Sequence, residues 1–358
     1  MELENLGFTA FFQDAFSRLK QPHLQPARVV REDRGIYTVA ATTGFLRAHL
    51  AGRLRMTTAP HELPATGDWC AVRPVSGEDK ALIVERLPRR TAFMRKKAGT
   101  TTEAQVVAAN VDVVFLVMGL DEDFNPRRLE RYLALARDSG AEPVIILNKL
   151  DLAPDPDAQR EALTSIAGET PILLVSAALG VGLDGLSSYV GPGRTVALLG
   201  SSGVGKSTLI NALLGQARMV TREVRASDGR GVHTTTFRDL MLLPGGGAIM
   251  DTPGMRELQL WGDEDTVAAS FPDVEALAAT CRFRDCAHQG EPGCAVRQAV
   301  EDGTLEASRL ASYRRLLDEV AFLQLRQHER HERLRKDGLG NMAKHFRDLA
   351  KKPLKRRW

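Results

Sequence analysis

The rhythm of apolar and polar positions changes twice along the chain, and each change marks a different architecture. Residues 1–20 space their apolar side chains as a short amphipathic helix does. From about 26 to 88, short apolar runs follow one another: ARVV, IYTVAA, FLRAHL, WCAVRPV and ALIVERL. The turn-forming stretches DRG, HELPATGD and SGEDK punctuate them. Five short strands in about sixty residues predict a small barrel. The OB-fold is the natural candidate, and an SH3-like barrel reads similarly. Many barrels of this size bind nucleic acid, and many do not.

Beyond a basic linker at 89–105 the texture differs. VDVVFLVM is apolar without alternation, as for a strand buried on both faces. NPRRLERYLALARDSG reads as a helix, with Asn125 as N-cap, Pro126 in the first turn and Gly140 at the end. Strand PVIIL, a helix through 157–166, strand PILLVSA, a short helix near 184–190 and strand TVALL follow. A glycine-rich loop with its helix comes next, then TFRDLMLL and GAIMDTPG. Such alternation predicts a parallel or mixed sheet flanked by helices. From about 263 the pattern is helical, and Leu310, Tyr313, Leu317 and Val320 form an apolar stripe that predicts core packing. No internal repeat is evident. The expected organisation is multidomain. An OB-fold barrel with its N-terminal segment and basic linker takes 1–97, a P-loop α/β domain takes 98–262, and a helical domain with a basic tail takes 263–358.

Composition narrows the class. With 358 residues, 43% hydrophobic and 26% charged, the chain can bury two or three cores. A net charge of +3 says little about partners. Basic residues nevertheless crowd RRTAFMRKK (89–97) and KKPLKRRW (351–358), which read as solvated surface or frayed tail unless other signals name a partner. The start is acidic and lacks the basic-then-apolar order of a signal peptide. The most apolar run, 111–120, is too short for a bilayer and carries Asp112. A cytoplasmic chain without a membrane role is expected, acting as a monomer. Three of its four cysteines lie close together, which argues for a reducing compartment and a metal site rather than a disulfide framework.

The chemistry concentrates in a few motifs. Gly200, Ser201, Ser202, Gly203, Val204, Gly205, Lys206 and Ser207 fit G-x-x-x-x-G-K-[ST], with a strand before and Thr208 continuing into a helix. Glycines let the backbone turn its N–H groups onto phosphate oxygens, and the helix N-terminus adds positive charge. Lys206 is expected to reach the β- and γ-phosphates and Ser207 to ligate Mg²⁺. Asp251 of DTPG can hold the Mg²⁺ shell through water, and Gly254 can offer its N–H to the γ-phosphate. Asn148, Lys149, Leu150 and Asp151 follow a strand. A carboxylate at 151 can accept both the ring N–H and the exocyclic amine of guanine, a pair adenine does not present. Ser176 and Ala177 close the next strand, where the Ala177 N–H can lie near the guanine O6.

The order of these elements is displaced: base reader, second base loop, phosphate loop, switch, D-x-x-G. Moving the ends of a closed cycle of elements alters chain order without moving the site. The sequence therefore predicts a circularly permuted GTPase domain. Between phosphate loop and D-x-x-G lies SDGRGVHTTTFRDL, a polar, glycine-bearing candidate switch in which one of Thr234, Thr235 and Thr236 senses Mg²⁺ and γ-phosphate. Met255 stands where Ras-type GTPases carry the water-orienting glutamine, so another polar group has to serve, and His233 is the local candidate. Cys281, Cys286, His288 and Cys294, spaced C-x4-C-x-H-x5-C, suit a closed structural Zn²⁺ site. Cys70 in DWCAV is expected to be buried and inert.

EAQVVAANVD, NKLD, LLGSSGVGKSTLIN, GRGVHTTT, DTPGMRE and CRFRDCAHQGEPGCAV together resemble the ribosome small-subunit-dependent GTPases, the RsgA (YjeQ) family. The resemblance runs from about residue 26 over nearly the whole remaining chain. It implies a late assembly factor that binds the small (30S) ribosomal subunit and its rRNA, with slow GTP hydrolysis to GDP stimulated by that subunit. It implies that His233 positions water and that Thr235 is the switch threonine. The basic N-terminal extension of some members is lacking, and the basic C-terminus can supply part of that contact. Two other readings stand beside this one. One is an rRNA-binding assembly protein with GTP mainly as a structural ligand. The other is a permuted GTPase serving the large subunit.

Overall fold

The structure is a computed structural model and describes residues 1–96, 104–215, 239–251, 264–325 and 329. The basic run 351–358 lies outside the described residues. Five strands form the first unit: β1 (Gln25–Asp33), β2 (Ile36–Ala41), β3 (Gly44–Leu50), β4 (Trp69–Pro74) and β5 (Lys80–Arg86). Their pairing runs β1–β2–β3–β5–β4 and returns to β1, so the barrel is closed. All contacts are antiparallel except β3 with β5. This closed five-stranded barrel, whose third strand pairs with the fifth, is OB-like and settles the choice against an SH3-like arrangement. Alternation places Val29, Tyr37, Val39, Leu46, Val72 and Ile83 inside. Cys70 joins them, fully buried, and burial pushes its thiol well above the usual range.

The N-terminal helix forms at Ala10–Ser17. It packs Phe12 over the fully buried Trp69, and Phe8 stacks on the same indole at 4.8 Å. The stretch read as a basic linker is partly strand. β6 (Ala92–Lys96) pairs antiparallel with β7 (Ala104–Ala109), and Arg89 is fixed by the buried carboxylate of Asp68 at 2.7 Å. Composition hid this because the run also turns Phe93 inward, while Arg90 stays at the surface.

The second sheet holds β8 (Val113–Gly119), β9 (Glu142–Asn148), β10 (Ile172–Leu174), β11 (Thr195–Leu199), β12 (Asp239–Leu242) and β13 (Ala248–Asp251). Its order is β10-β9-β8-β11-β13-β12, parallel except for β12. β8 is buried along its whole length, as its unbroken apolar run predicts. The helix Pro126–Ser139 starts at Asn125, whose side chain accepts from the Arg128 N–H, and ends at Gly140 in the left-handed region. The sheet does not stop at β12. Arg31 of β1 pairs with Asp239, so barrel and second sheet run together as eleven strands.

At this junction lies Arg28, 1% exposed. Its guanidinium donates to the carbonyls of Gly67 (3.1 Å), Asn110 (3.0 Å) and Leu6, and to Thr195 Oγ1 at 2.7 Å. One side chain thus ties the barrel, the N-terminal segment, the β6–β7 hairpin and the first residue of β11. Burial lowers its pKa to about 10, opposed by Asp112 and Asp68, so it stays charged at neutral pH.

The C-terminal unit comprises Pro272–Ala278, Ala295–Glu301 and a helix over 307–325. Its stripe is buried at Leu310, Tyr313 and Val320 as expected, with Leu316 taking the fully covered place and Leu317 half-buried beside it. Arg309 anchors the unit to the helix Pro126–Ser139 by reaching buried Glu130 at 2.8 Å, and within the unit it reaches Asp273 at 2.8 Å and lies over Phe271 at 4.2 Å.

Arg28→Ala strips donors from three carbonyls and a hydroxyl in a closed interior, which is expected to cost about 3–5 kcal/mol of unfolding free energy. Arg28→Lys should recover only a part, since one ammonium cannot face all those directions. Denaturant titration checks this, and a midpoint unmoved by Arg28→Ala would refute the junction's importance.

Candidate nucleotide and metal sites

β8, β9 and β11 run side by side in register, with Gly119 opposite Asn148 and Leu199 opposite Leu116. Their carboxyl ends therefore finish together, the place where open parallel sheets form ligand crevices. The segment after β9 carries Asn148 to Asp151, and the segment after β11 is the glycine-rich loop. Base reader and phosphate loop sit at one edge although the chain reaches them in displaced order. Circular permutation is thus visible in the topology.

The loop geometry follows from residue size. A Cβ on Gly200 would stand 2.4 Å from the Val117 carbonyl oxygen. Gly205 has φ +93°, and a Cβ there would meet Asn148 Nδ2 at 2.3 Å. Val204 is buried under the turn while Ser202 and Gly203 face solvent. The helix Lys206–Leu214, containing Ser207 and Thr208, starts directly after Gly205. Lys206 Nζ lies across the loop, donating to the Gly200 carbonyl at 2.9 Å and to the Ser201 carbonyl. This places a cation and the helix N-terminus at one point.

Asn148 is the hinge of the cleft. Its Nδ2 donates to the Val204 carbonyl at 2.8 Å, and its Oδ1 accepts from the Ala177 N–H at 3.0 Å. One amide thus spans phosphate loop, base reader and second base loop. The Ala177 N–H is therefore already used within the protein, a point the sequence did not show. Asp151 is exposed at the mouth and accepts from the Ser176 hydroxyl. Lys149, at φ +66°, pairs with Asp121 at 2.6 Å, and Leu150 packs partly buried behind it. Asp121 and its neighbours escaped sequence reasoning, because no motif marks the turn after β8.

Asp251 ends β13 opposite Asp239 of β12. Burial raises its carboxyl above the usual range, Lys206 opposes this, and Asp239 adds to it. A desolvated carboxylate beside a like charge favours a nearby cation, which fits the Mg²⁺ role expected for Asp251 and Ser207. His233, Thr234, Thr235, Thr236, Gly254 and Met255 lie outside the described residues.

Far along the chain, Cys281, Cys286, His288 and Cys294 converge, their ligand atoms all within 4.8 Å of one another. His288 Nδ1 lies 3.4 Å from Cys294 Sγ and 3.7 Å from Cys281 Sγ. His288 takes φ +58°, which turns its ring inward, and the ring is buried near Tyr313. Cys294 caps the helix Ala295–Glu301, its sulfur accepting from the Arg297 N–H. Cys281 is pulled both ways. Burial works against its thiolate, but the Val296 and Ala295 N–H groups prevail and hold its pKa below the usual thiol value. Cys286 is pushed up to about 11, by burial first and then by its neighbouring cysteines. Three sulfurs and one imidazole nitrogen gathered this closely are the donor set that a tetrahedral divalent cation takes. The cluster is a site that can hold a metal ion with four protein ligands.

Comparison with known proteins agrees with this geometry. Residues 86–261 match the family described as RsgA GTPase. A small ribosomal subunit biogenesis GTPase RsgA from Opitutus terrae is 51% identical over 332 residues, 90% of each chain. Its namesake from Syntrophotalea carbinolica is 46% identical over 90% of each chain. That of Methanosarcina acetivorans is 40% identical over 97% of this chain and 94% of its own. The crystal structure of YjeQ from Thermotoga maritima superposes with a TM-score of 0.62 at 28% identity, covering 83% of this chain and 99% of that one. YloQ, whose structure is described as a circularly permuted GTPase, shares the fold at a TM-score of 0.57 and 22% identity, with 84% and 96% covered. With identity of this level extending over nine-tenths of its length, the chain belongs to the RsgA GTPase family.

Proposed function

We propose that this chain binds GTP at the carboxyl ends of β8, β9 and β11, hydrolyses it to GDP and phosphate, and acts in late maturation of the small (30S) ribosomal subunit. The observation that carries the nucleotide reading is the Asn148 amide, which links the phosphate loop to both base loops. The names of the relatives carry the subunit reading. In this reading Gly200, Ser201, Ser202, Gly203, Val204 and Gly205 wrap the phosphates with backbone N–H groups, and Lys206 neutralises them. Thr208 adds an N–H at the helix start. Asp151 reads the guanine ring, held in place by Ser176, and Ala177 shares its N–H between Asn148 and the guanine oxygen. Ser207, Thr235 and, through water, Asp251 hold Mg²⁺, which supplies charge neutralisation at the phosphates. Gly254 contacts the γ-phosphate, and His233 positions water in place of the glutamine that Met255 cannot mimic.

The domain division is the one expected from sequence: 1–97, 98–262 and 263–358. The barrel and the basic C-terminus bind rRNA, the Cys3His cluster holds one structural Zn²⁺, and the protein works as a cytoplasmic monomer. Among the described residues no helix is long and apolar enough to cross a membrane.

Asp151→Asn should weaken GTP and favour xanthine nucleotides, because the amide can donate to the carbonyl that replaces the guanine amine. Competition binding of GTP, XTP and ATP checks this; parent affinity equal for ATP and GTP would defeat the guanine assignment.

Elemental analysis should find about one zinc per chain, since a closed Cys3His set binds zinc as part of folding. Cys281→Ser should lose the metal and loosen the C-terminal unit while leaving nucleotide affinity nearly intact. Metal-free protein with full stability would overturn the assignment.

Purified small subunits should accelerate GTP hydrolysis, and large subunits should not. His233→Ala should lower that stimulated turnover by roughly 10²-fold or more with little change in GTP affinity, the signature of an interaction made mainly in the transition state. Equal losses of turnover and affinity would make His233 a binding residue, and no response to small subunits would remove the ribosomal role.

A further inference from the structure

Between β8 and the helix Pro126–Ser139 runs the turn 120–125, which lies outside every nucleotide motif. It presses against both halves of the cleft. Leu120 N–H donates to the Asn148 carbonyl at 2.9 Å. Asp121 Oδ2 accepts from Lys149 Nζ at 2.6 Å, on the base side. Two residues later, Asp123 Oδ2 accepts from Ser201 Oγ at 2.6 Å, on the phosphate side. Arg128, in the first turn of the helix, pairs with Asp123 and donates to Ser201 Oγ at 2.7 Å. The turn is closed on itself, with Asp123 N–H donating to Asp121 Oδ1 at 3.2 Å and Phe124 N–H to the Asp121 carbonyl at 2.9 Å. A Cβ on Gly119 would stand 2.3 Å from Asp121 Oδ1, so a glycine lets the carboxylate fold back over the strand end.

Two carboxylates beside a polyphosphate site are unfavourable unless each is neutralised. Here each has its own cation, Lys149 for Asp121 and Arg128 for Asp123. Burial opposes ionisation of Asp121, but the Lys149 ammonium and the Asp123 N–H outweigh it and hold its pKa below the usual carboxylate value.

We infer that Asp121 and Asp123 are positioning residues for the nucleotide, the first fixing the stem of Lys149 against the base and the second fixing Ser201 at the entry of the phosphate loop. Standing two residues apart on one closed turn, they set the spacing between the halves of the cleft. Neither touches nucleotide; each acts through the residue it holds. The inference rests on the assignment of Lys149 and Ser201 to nucleotide binding.

Double-mutant cycles read by fluorescent-GDP titration test it. Asp121→Ala and Asp123→Ala should each weaken GDP about fivefold. Asp121→Ala should add nothing in a Lys149→Ala background, nor Asp123→Ala in a Ser201→Ala background. The crossed pair Asp121→Ala with Ser201→Ala should instead multiply. Asp123→Asn keeps an acceptor for the serine hydroxyl and should restore much of the affinity. In steady-state hydrolysis, KM for GTP should rise while kcat stays within about twofold. Independent effects within each pair, or lost stability with unchanged GDP affinity, would overturn the inference. A parent chain that failed to bind GDP would sink the nucleotide reading and this inference together. A parent that bound GDP but gave additive pairs would sink this inference alone.

Discussion

Everything else in this architecture is arranged around one buried charge. The Arg28 guanidinium is enclosed where barrel, N-terminal segment, hairpin and nucleotide sheet meet, and it faces acceptors from each. Removing a guanidinium from water is costly, and the cost is offset only if every donor direction is met. That requirement fixes the relative placement of four chain segments more sharply than apolar contact could, because hydrogen bonds have direction. Thr195, one of the acceptors, is also the first residue of β11, the strand that ends in the phosphate loop. The backbone N–H of Thr195 donates to Asp112 at 2.8 Å, so the root of that strand is fixed twice.

A second buried arginine repeats the logic at the opposite boundary. Arg309 meets Glu130 on one side and Asp273 on the other, while Arg127 and Arg131 of the same GTPase helix pair with Glu306 and Glu319. The Cys3His unit is therefore docked on the helix whose first turn carries Arg128, the partner of Ser201. Charged contacts of this kind, partly buried, orient a boundary more than they stabilise it.

How far the sequence foretold this depends on whether a feature is local. The phosphate loop, the Asn148–Asp151 segment and the cysteine spacing were legible because their chemistry demands fixed residue types at fixed intervals; in the structure Asn148 meets the loop at Val204 and the three cysteines converge with His288. The five barrel strands were legible from alternation, whereas OB-like closure needed the parallel β3–β5 pairing, which no local pattern encodes. Arg28 and Arg309 were invisible. Each sits among residues far away in the chain, and an arginine on a strand or helix ordinarily reads as surface. Asp121 and Asp123 were missed for a related reason: an acidic turn after a strand looks like solvated loop until its two partners, Lys149 and Ser201, are seen on either side.

The β1–β12 seam has a mechanical meaning. β12 begins at Asp239, three residues beyond Thr236 in the chain, and its first residue is clasped by the Arg31 guanidinium from the barrel. The seam is one residue pair long, and the Arg31 guanidinium on both Asp239 carboxylate oxygens reinforces it. Through that pair the barrel touches β12 directly, at a contact that includes no residue of the phosphate loop. A macromolecule gripping the barrel would therefore hold the residue that, in the chain, follows closest on His233 and Thr235 among those the structure describes.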